Sequence, residues 1–356
     1  MNAVDSTIKT YPFKRNTLSV SVMDSSAEGV NAWLTINYLL GYIQPSKKTV
    51  AVLDLGGGST QVSYEMKNIE TNEFDVRFMQ VKNVFGHAYI MYTRSFLGNG
   101  ILSARKQILL QSNQAFVDEY RTILSNDESN EHIYIISHPC IPEGKYAKWN
   151  FENKTFYVYS FSNGNTSAYN INCYELITSF VNSSIHLRFF EKKNINNHKI
   201  FAISHYYQLA SLFGVPNSGV IAVGDYLKYA KIICPQLFEN EIDLNKETFL
   251  NHSLLSILNK TQKANILSQN PFICLDLTYI TVVLNKGFGL SMSKNLNVVE
   301  KINGYEASWA LGLAINSLDY SENHSNSYYS LITISTVLLL GLKLFFDELF
   351  LVPYFV

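Results

Sequence analysis

Apolar and polar residues alternate with changing period along the 356-residue chain. Residues 7–13 carry no clear period, whereas 18–24 (LSVSVMD) alternate as a short strand does. From Glu28 the repeat becomes helical: Trp33, Ile36, Asn37 and Leu40 share a face, and Gly41 stands where a C-terminal cap belongs. Residues 49–55 (TVAVLDL) form an apolar run of strand length, and 61–65 (QVSYE) read as a second strand. Between them lie Gly56, Gly57, Gly58, Ser59 and Thr60, so the pair predicts a β-hairpin whose turn is almost all glycine. Further on, 74–84 predicts strand, 101–122 helix and 134–137 strand, and 146–172, rich in Asn, Tyr and Ser, predicts short antiparallel strands. Helical spacing returns at 174–183, 205–213 and 225–233. Residues 235–270 read as a polar, partly helical insertion, followed by patterned pieces at 277–284 and 298–302 and a helix at 306–318. Strands alternating with helices predict an α/β fold with mixed sheets.

Composition narrows the partners. A hydrophobic share of 47% suffices for a packed core, and a net charge of −1 with no Lys/Arg cluster excludes the electrostatic footprint of a nucleic-acid binder. Cys140, Cys173, Cys234 and Cys274 form no CxxC pair, so they predict no zinc knuckle and leave two disulfides open. Sequons at Asn153, Asn165, Asn182, Asn251, Asn259 and Asn323 join the cysteines in pointing to an oxidising, secretory compartment. The first residues contain no apolar signal core, which predicts further sequence upstream. Residues 328–346 are about 19 mostly apolar positions, near the minimum that spans a bilayer. The stretch 328–350 is therefore expected to be a membrane anchor, with a buried hydrophobic helix as the alternative. None of the eight histidines has a partner at metal-ligand spacing.

The sharpest chemical signal is residues 54–61, DLGGGSTQ. A carboxylate, Asp54, ends a buried strand and is followed by a turn without β-carbons. Backbone N–H groups of such a turn can close on an anionic oxygen while the acid holds a cation or its water. That suits a phosphate with Mg²⁺ or Ca²⁺. Ser59 adds a hydroxyl donor, and Gln61, able to donate and accept, suits positioning a nucleophile for in-line attack on phosphorus. A flexible glycine hairpin without a ligand is the bland alternative.

These residues resemble the fourth conserved region of the apyrases, the nucleoside tri- and diphosphate diphosphohydrolases, with Gly58 in place of a small alanine. Residues 28–41 (EGVNAWLTINYLLG) resemble the third region and 309–312 (WALG) the fifth. Segments 92–98, 204–207 and 274–280 are similar to family segments in the same order, so the resemblance covers about residues 11–320. It implies an actin-like (ribonuclease H-like) lobe with a mixed sheet flanked by helices, and hydrolysis of nucleoside tri- and diphosphates dependent on Ca²⁺ or Mg²⁺. It assigns Glu28 as the general base, Asp54 to the metal through water, Ser59 and Gln61 to the nucleophile, and Gly56, Gly57 and Gly58 to the phosphates. Tyr207 and Phe288 fall near the positions where the family holds the base between aromatic rings, whereas Trp33 and Trp309 read as packing residues. The order of the cysteines matches two family disulfides, Cys140–Cys173 and Cys234–Cys274, each contributing about 3–4 kcal/mol through loop closure.

The resemblance is incomplete. Family members have two actin-like lobes with the phosphates between them, and the first-lobe segments of DxGSSxTR and ATAGMR type are not found in this sequence. Residues 1–24 are accordingly expected to be a remnant of the first lobe, 25–302 the second lobe with the phosphate site, 303–326 a helix returning to the first lobe, and 328–350 the anchor. Such a chain would sit in a membrane with its catalytic lobe in the secretory lumen or outside the cell, and its activity would suffer from the missing clamp, since phosphoryl transfer is mostly positioning and charge neutralisation. Two alternatives stand beside this: an inactive membrane-anchored remnant, and an exopolyphosphatase-like enzyme. The latter shares the glycine hairpin and matches Gly58, but usually carries Glu in place of Gln61 and lacks the 28–41 signature. Segments 274–280 and 287–289 lean toward the diphosphate-preferring branch.

Overall fold

A computed structural model describes residues 2–12, 20–66, 76–111, 133–151, 154–160, 172–184, 187, 195–237 and 259–322. Strand β1 (Ala51–Leu55) is buried along its whole length, which is why its apolar residues do not alternate with polar ones. Across the glycine turn it pairs antiparallel with β2 (Ser59–Glu65), placing Asp54 opposite Gln61 and Leu55 opposite Thr60. On its other side it runs parallel to β8 (Ile200–Ser204), with Leu55 beside Ser204. The full sheet has seven strands in the order β3 (Met79–Val84), β4 (His87–Leu97), β2, β1, β8, β10 (Asn295–Val298), β9 (Gly219–Ala222). Its β3–β4–β2–β1 side is antiparallel, β1–β8–β10 is parallel, and β9 is antiparallel again. The sheet is mixed, as the alternation of elements predicts.

The two faces of the sheet are covered differently. Side chains at Gln61, Ser63 and Thr93 meet helix α2 (Ser25–Leu39), while the alternate positions Val62, Tyr64, Tyr92 and Phe96 enter the main core. That core is filled by α3 (Ile101–Gln111), α4 (Cys173–Ser183), α5 (His205–Ser211), α6 (Val223–Ile233) and α8 (Ile273–Val282), the last continuing into a π turn at Val283–Gly287. Helix α2 ends as its sequence dictates: Gly41 adopts φ +68°, its N–H donates to Tyr38 O (2.9 Å), and Tyr42 N–H donates to Asn37 O (2.8 Å), the two bonds of a Schellman cap. Trp33 is fully buried, edge-on to Tyr89 at 5.5 Å, as a packing residue should be; Trp309 stays 37% exposed.

The remaining elements sit mostly where the periodicity places them. β6 (Tyr146–Phe151) and β7 (Lys154–Tyr159) pair antiparallel, and β5 (Ile133–Ser137) joins β7 in parallel to make a three-stranded sheet. Both disulfides implied by the family resemblance are present: Cys140–Cys173 ties the loop after β5 to the start of α4, and Cys234–Cys274 ties the end of α6 to α8. Within the polar insertion, α7 (Lys260–Gln269) buries no residue and is held by a reciprocal cap between Asn259 and Gln262. The short strands β11 (Lys301–Ile302) and β12 (Tyr305–Glu306) precede α9 (Trp309–Glu322). Residues 1–312 form one compact unit and 313–356 another.

Two expectations are corrected, and two elements stand where none was expected. Residues 20–24 of the expected strand 18–24 are not strand but lead directly into α2, and among the described residues no strand pairs with them, while residues 18–19 lie outside the described residues; α1 (Asn2–Ile8) buries nothing and only its last two residues fall in the unpatterned segment 7–13. The helix expected from residue 306 begins at Trp309, because Tyr305 and Glu306 pair with Ile302 and Lys301. The long strand β4 carries no simple apolar–polar alternation: residues 91–94 are all buried, with α2 on one face and the core on the other, and the adjacent polar residues Thr93 and Arg94 point to opposite faces. Residues 112–122 and 161–171 of the expected elements, and the expected membrane anchor at 328–350, lie outside the described residues. Among the described residues no single helix is long and apolar enough to cross a membrane.

Gly29 sets how closely α2 approaches the sheet. A β-carbon there would lie 2.6 Å from Ser63 Oγ and 2.9 Å from Thr93 Oγ1, two hydroxyls that hydrogen-bond each other at 2.7 Å in the interior. On an open helix surface Gly→Ala stabilises by about 1 kcal/mol. Here Gly29→Ala is expected to destabilise by roughly 1–3 kcal/mol, the range for overpacking, and thermal melting of the two proteins measures the sign.

Candidate active site

The glycine turn is shaped by what receives its carbonyls. Gly56 N–H donates to Ser59 O (3.0 Å) and closes the turn. Gly56 O accepts from Ile101 N–H (2.9 Å), Gly57 O from Leu102 and Ser103 N–H (both 3.0 Å), and Gly58 O from Gly98 N–H (2.9 Å). The first turn of α3 thus donates its otherwise orphan N–H groups to the loop rather than to a side-chain cap. With the carbonyls drawn to that side, among the described residues no backbone group accepts from the N–H of Gly57 or Gly58. Gly100 makes this possible: a β-carbon on it would collide with Ser59 N and the Gly57 carbonyl. Gly58, by contrast, faces open space, so an alanine would fit in its place.

Gln61 gathers the other polar groups. Its Nε2 donates to Glu28 Oε2 (2.7 Å) and Ser59 Oγ (2.7 Å), with Ser95 Oγ at 3.3 Å, while its buried Oε1 has no hydrogen-bond partner among the described residues. Because Ser59 Oγ accepts here, its own hydrogen is left to donate elsewhere. Glu28, in the first turn of α2, is half-buried, and loss of water around it raises its pKa above the usual carboxylate value. Asp54 is buried, and burial pushes its pKa from 3.8 up to about 6; the facing Ser204 hydroxyl lowers it and the charge of Glu28 raises it. Asp54 Oδ1 has no hydrogen-bond partner among the described residues. Nearby, His205 Nδ1 donates to Leu55 O (2.7 Å) and Thr60 Oγ1 donates to Asp54 O (2.7 Å), fixing the strand end.

The structure therefore brings Glu28, Asp54, Gly56, Gly57, Gly58, Ser59 and Gln61 into one neighbourhood. Tyr207 is partly exposed on α5. Phe288 is not available to a base: it is fully buried with its ring 5.4 Å from that of Phe96, and the expectation of base stacking on it is corrected. Sequence reasoning passed over Ser95 and Ser204. Ser95 stands directly opposite Gln61 in the β2–β4 ladder, and Ser204 occupies φ +60°, ψ −128° at the junction of β8 with α5, a strained conformation for a residue with a β-carbon. Two buried, unpartnered oxygens, Asp54 Oδ1 and Gln61 Oε1, fit a hydrated Mg²⁺ or Ca²⁺ and a bound water, since both ions take oxygen donors and Mg²⁺ in particular keeps several of its waters. Among the described residues no cluster of three or more His, Cys, Asp or Glu could hold an ion by itself.

Fold and site together define an α/β protein with polar groups gathered at a glycine turn of its central sheet. The sequence model of the GDA1/CD39 (nucleoside phosphatase) family matches residues 1–330, and the chain belongs to that family. It is 29% identical over 323 residues to ectonucleoside triphosphate diphosphohydrolase 5 of Gallus gallus, a match covering 89% of this chain and 65% of that protein. To the Bos taurus protein of the same name it is 30% identical over 318 residues, 87% of this chain and 62% of that one. The chain thus spans a little under two thirds of the length of these relatives. In three dimensions it is similar to a nucleoside triphosphate hydrolase from Neospora caninum, with a TM-score of 0.55 at 12% identity over 90% of this chain and 68% of that one. The expected architecture, an actin-like lobe with a mixed sheet flanked by helices, is the one found, and the family match favours the apyrase reading over the exopolyphosphatase one.

The burial of Asp54 has a measurable cost. A carboxyl whose pKa rises from 3.8 to about 6 on folding prefers its protonated form in the folded state. Its ionisation therefore opposes folding: the penalty is absent below pH 4, grows between pH 4 and 6, and reaches up to about 3 kcal/mol above pH 6. Asp54→Asn is expected to stabilise the metal-free chain by about 1–3 kcal/mol at pH 7.5, with the gain fading as the pH falls to 4. Denaturant melts in a chelator at the two pH values check both the sign and the window.

Proposed function

We propose that this chain hydrolyses nucleoside tri- and diphosphates, releasing inorganic phosphate by direct attack of water on the terminal phosphorus. The observation that carries this reading is the Gln61 side chain, bonded at once to Glu28 and Ser59, beside a buried Asp54 coupled electrostatically to Glu28. Glu28 accepts the proton of the attacking water. Gln61 holds that water through its unpartnered Oε1, and Ser59 donates its free hydrogen to the incoming phosphate. The N–H groups of Gly57 and Gly58 line the phosphate oxygens, so developing charge meets fixed dipoles that need no reorganisation. Asp54 would hold Ca²⁺ or Mg²⁺ through water, and the bound ion would supply neutralisation of phosphate charge. Tyr207 remains the candidate for a face contact with the base.

The two disulfides, and exposed sequon asparagines at Asn182 and Asn259, support residence in an oxidising lumen or outside the cell, with glycans on those two sites. The apolar stretch 328–350 would supply membrane attachment.

Phosphate release from ADP, GDP, UDP and ATP with Ca²⁺ or Mg²⁺ tests the chemistry. Glu28→Ala is expected to lower kcat at least about a hundredfold, the lower end of what general base catalysis supplies, with little effect on the melting temperature. Equal rates for parent and variant would remove Glu28 from the mechanism.

A further inference from the structure

The segment 274–280 (CLDLTYI) takes no part in the chemistry above, yet two of its side chains reach the support of the glycine turn. Asp276, buried on α8, makes a bidentate pair with Arg105 of α3: Nε to Oδ1 at 3.1 Å and Nη2 to Oδ2 at 2.6 Å. The Arg105 guanidinium also lies 4.8 Å above the ring of Phe272. Three residues on, on the same helix face, the fully buried Tyr279 donates its hydroxyl to Asn99 O at 2.7 Å. Asn99 is the middle of Gly98-Asn99-Gly100, the bend that carries the chain into α3. The same bend is held by Gln107 Nε2 on Gly98 O (2.6 Å) and by Ser184 Oγ on Asn99 Oδ1 (3.3 Å).

We propose that α8 is the brace that aims the phosphate-binding turn, with Tyr279, and Asp276 acting through Arg105, as its positioning residues. The argument runs through the carbonyls. Those of Gly56, Gly57 and Gly58 are captured by the N–H groups of Gly98, Ile101, Leu102 and Ser103, so the position of residues 98–103 sets the tilt of each peptide plane in the turn. An N–H points opposite to its carbonyl, and its hold on a phosphate oxygen falls steeply with misalignment. Tyr279 fixes the start of this segment and the Asp276–Arg105 pair fixes the helix that follows it, both at a sequence distance of more than 150 residues. Neither side chain needs to touch substrate to act this way. The proposal rests on the reading of residues 56–59 as the phosphate site.

Tyr279→Phe keeps the ring in the core and removes only the hydroxyl, and Asp276→Asn keeps the shape while weakening the pair. Thr281→Val is the control on the same helix: it also loses a buried hydroxyl, but one that among the described residues is bonded to Leu277 O of its own helix, at 2.8 Å. Binding of inorganic phosphate in the presence of Mg²⁺, measured by calorimetry, is expected to weaken about fivefold to tenfold in Tyr279→Phe and Asp276→Asn. kcat/KM for a nucleoside diphosphate should fall by at least a similar factor, since the same N–H groups meet the developing charge. Thr281→Val should lower the melting temperature without moving either constant. If the first two variants bind phosphate as Thr281→Val does, the brace is refuted; should Asp276→Asn fail to fold, Tyr279→Phe decides alone. A parent chain that binds no phosphate would sink the reading of the site instead. Amide exchange over residues 56–59 then judges the brace, faster in Tyr279→Phe than in Thr281→Val if it is right and equal if it is wrong.

Discussion

One side-chain amide holds the centre of this protein together. Gln61 Nε2 has two hydrogens and three oxygen neighbours, Glu28 of α2, Ser59 at the turn end of β2 and Ser95 of β4. An amide nitrogen in a buried setting must donate, and the cost of leaving it unpaired is comparable to a lost hydrogen bond. Gln61 therefore fixes the distance between a helix-borne acid and a strand-borne loop. That geometry depends in turn on Gly29, since any side chain there would lift α2 off Ser63 and Thr93 and carry Glu28 away.

Stability and chemistry pull against each other around this contact. Glu28 and Asp54 are like charges in a partly dry site, and burial disfavours ionisation of both. Asp54 Oδ1 and Gln61 Oε1 are unpartnered among the described residues, Ser204 sits in a strained backbone conformation, and among the described residues no backbone group accepts from the N–H of Gly57 or Gly58. Each is unfavourable on its own, and each is of a kind that a hydrated cation, a water or an anion relieves. Local violations gathered in one place of an otherwise well-satisfied fold are the usual mark of a functional site.

The remainder of the fold compensates by rigidity. Parallel strands β1 and β8 deliver Asp54 and Ser204 to the same end of the sheet, where an open α/β sheet offers its crevice. Helix α3 spends its N-terminal N–H groups on the glycine turn, α8 is buried along its whole length behind it, and the Cys234–Cys274 bond anchors α8 to α6. The turn is thus a flexible sequence held in one shape by its neighbours. Three glycines would otherwise give a loop too soft to preorganise anything.

Local order in the chain fixed everything that depends on residues within a turn or a hairpin of one another: α2 with its glycine cap, the β1–β2 hairpin, the helices at 173–183, 205–211 and 223–233, and the polar character of the insertion. It also carried the motif chemistry, because Asp54, the glycines, Ser59 and Gln61 are neighbours in sequence and Glu28 opens a recognisable helix. Contacts closed over long separations were hidden. Strand β4, buried on both faces, carries no simple apolar–polar alternation; Ser95 and Ser204 entered the site through sheet register; Phe288, an aromatic like any other in sequence, went to the core against Phe96. The capture of the glycine carbonyls by residues 98–103, and the reach of Tyr279 to Asn99, follow from strand order and helix packing. Periodicity records which side of an element is buried, and only the assembled sheet and its helices determine what lies against that side.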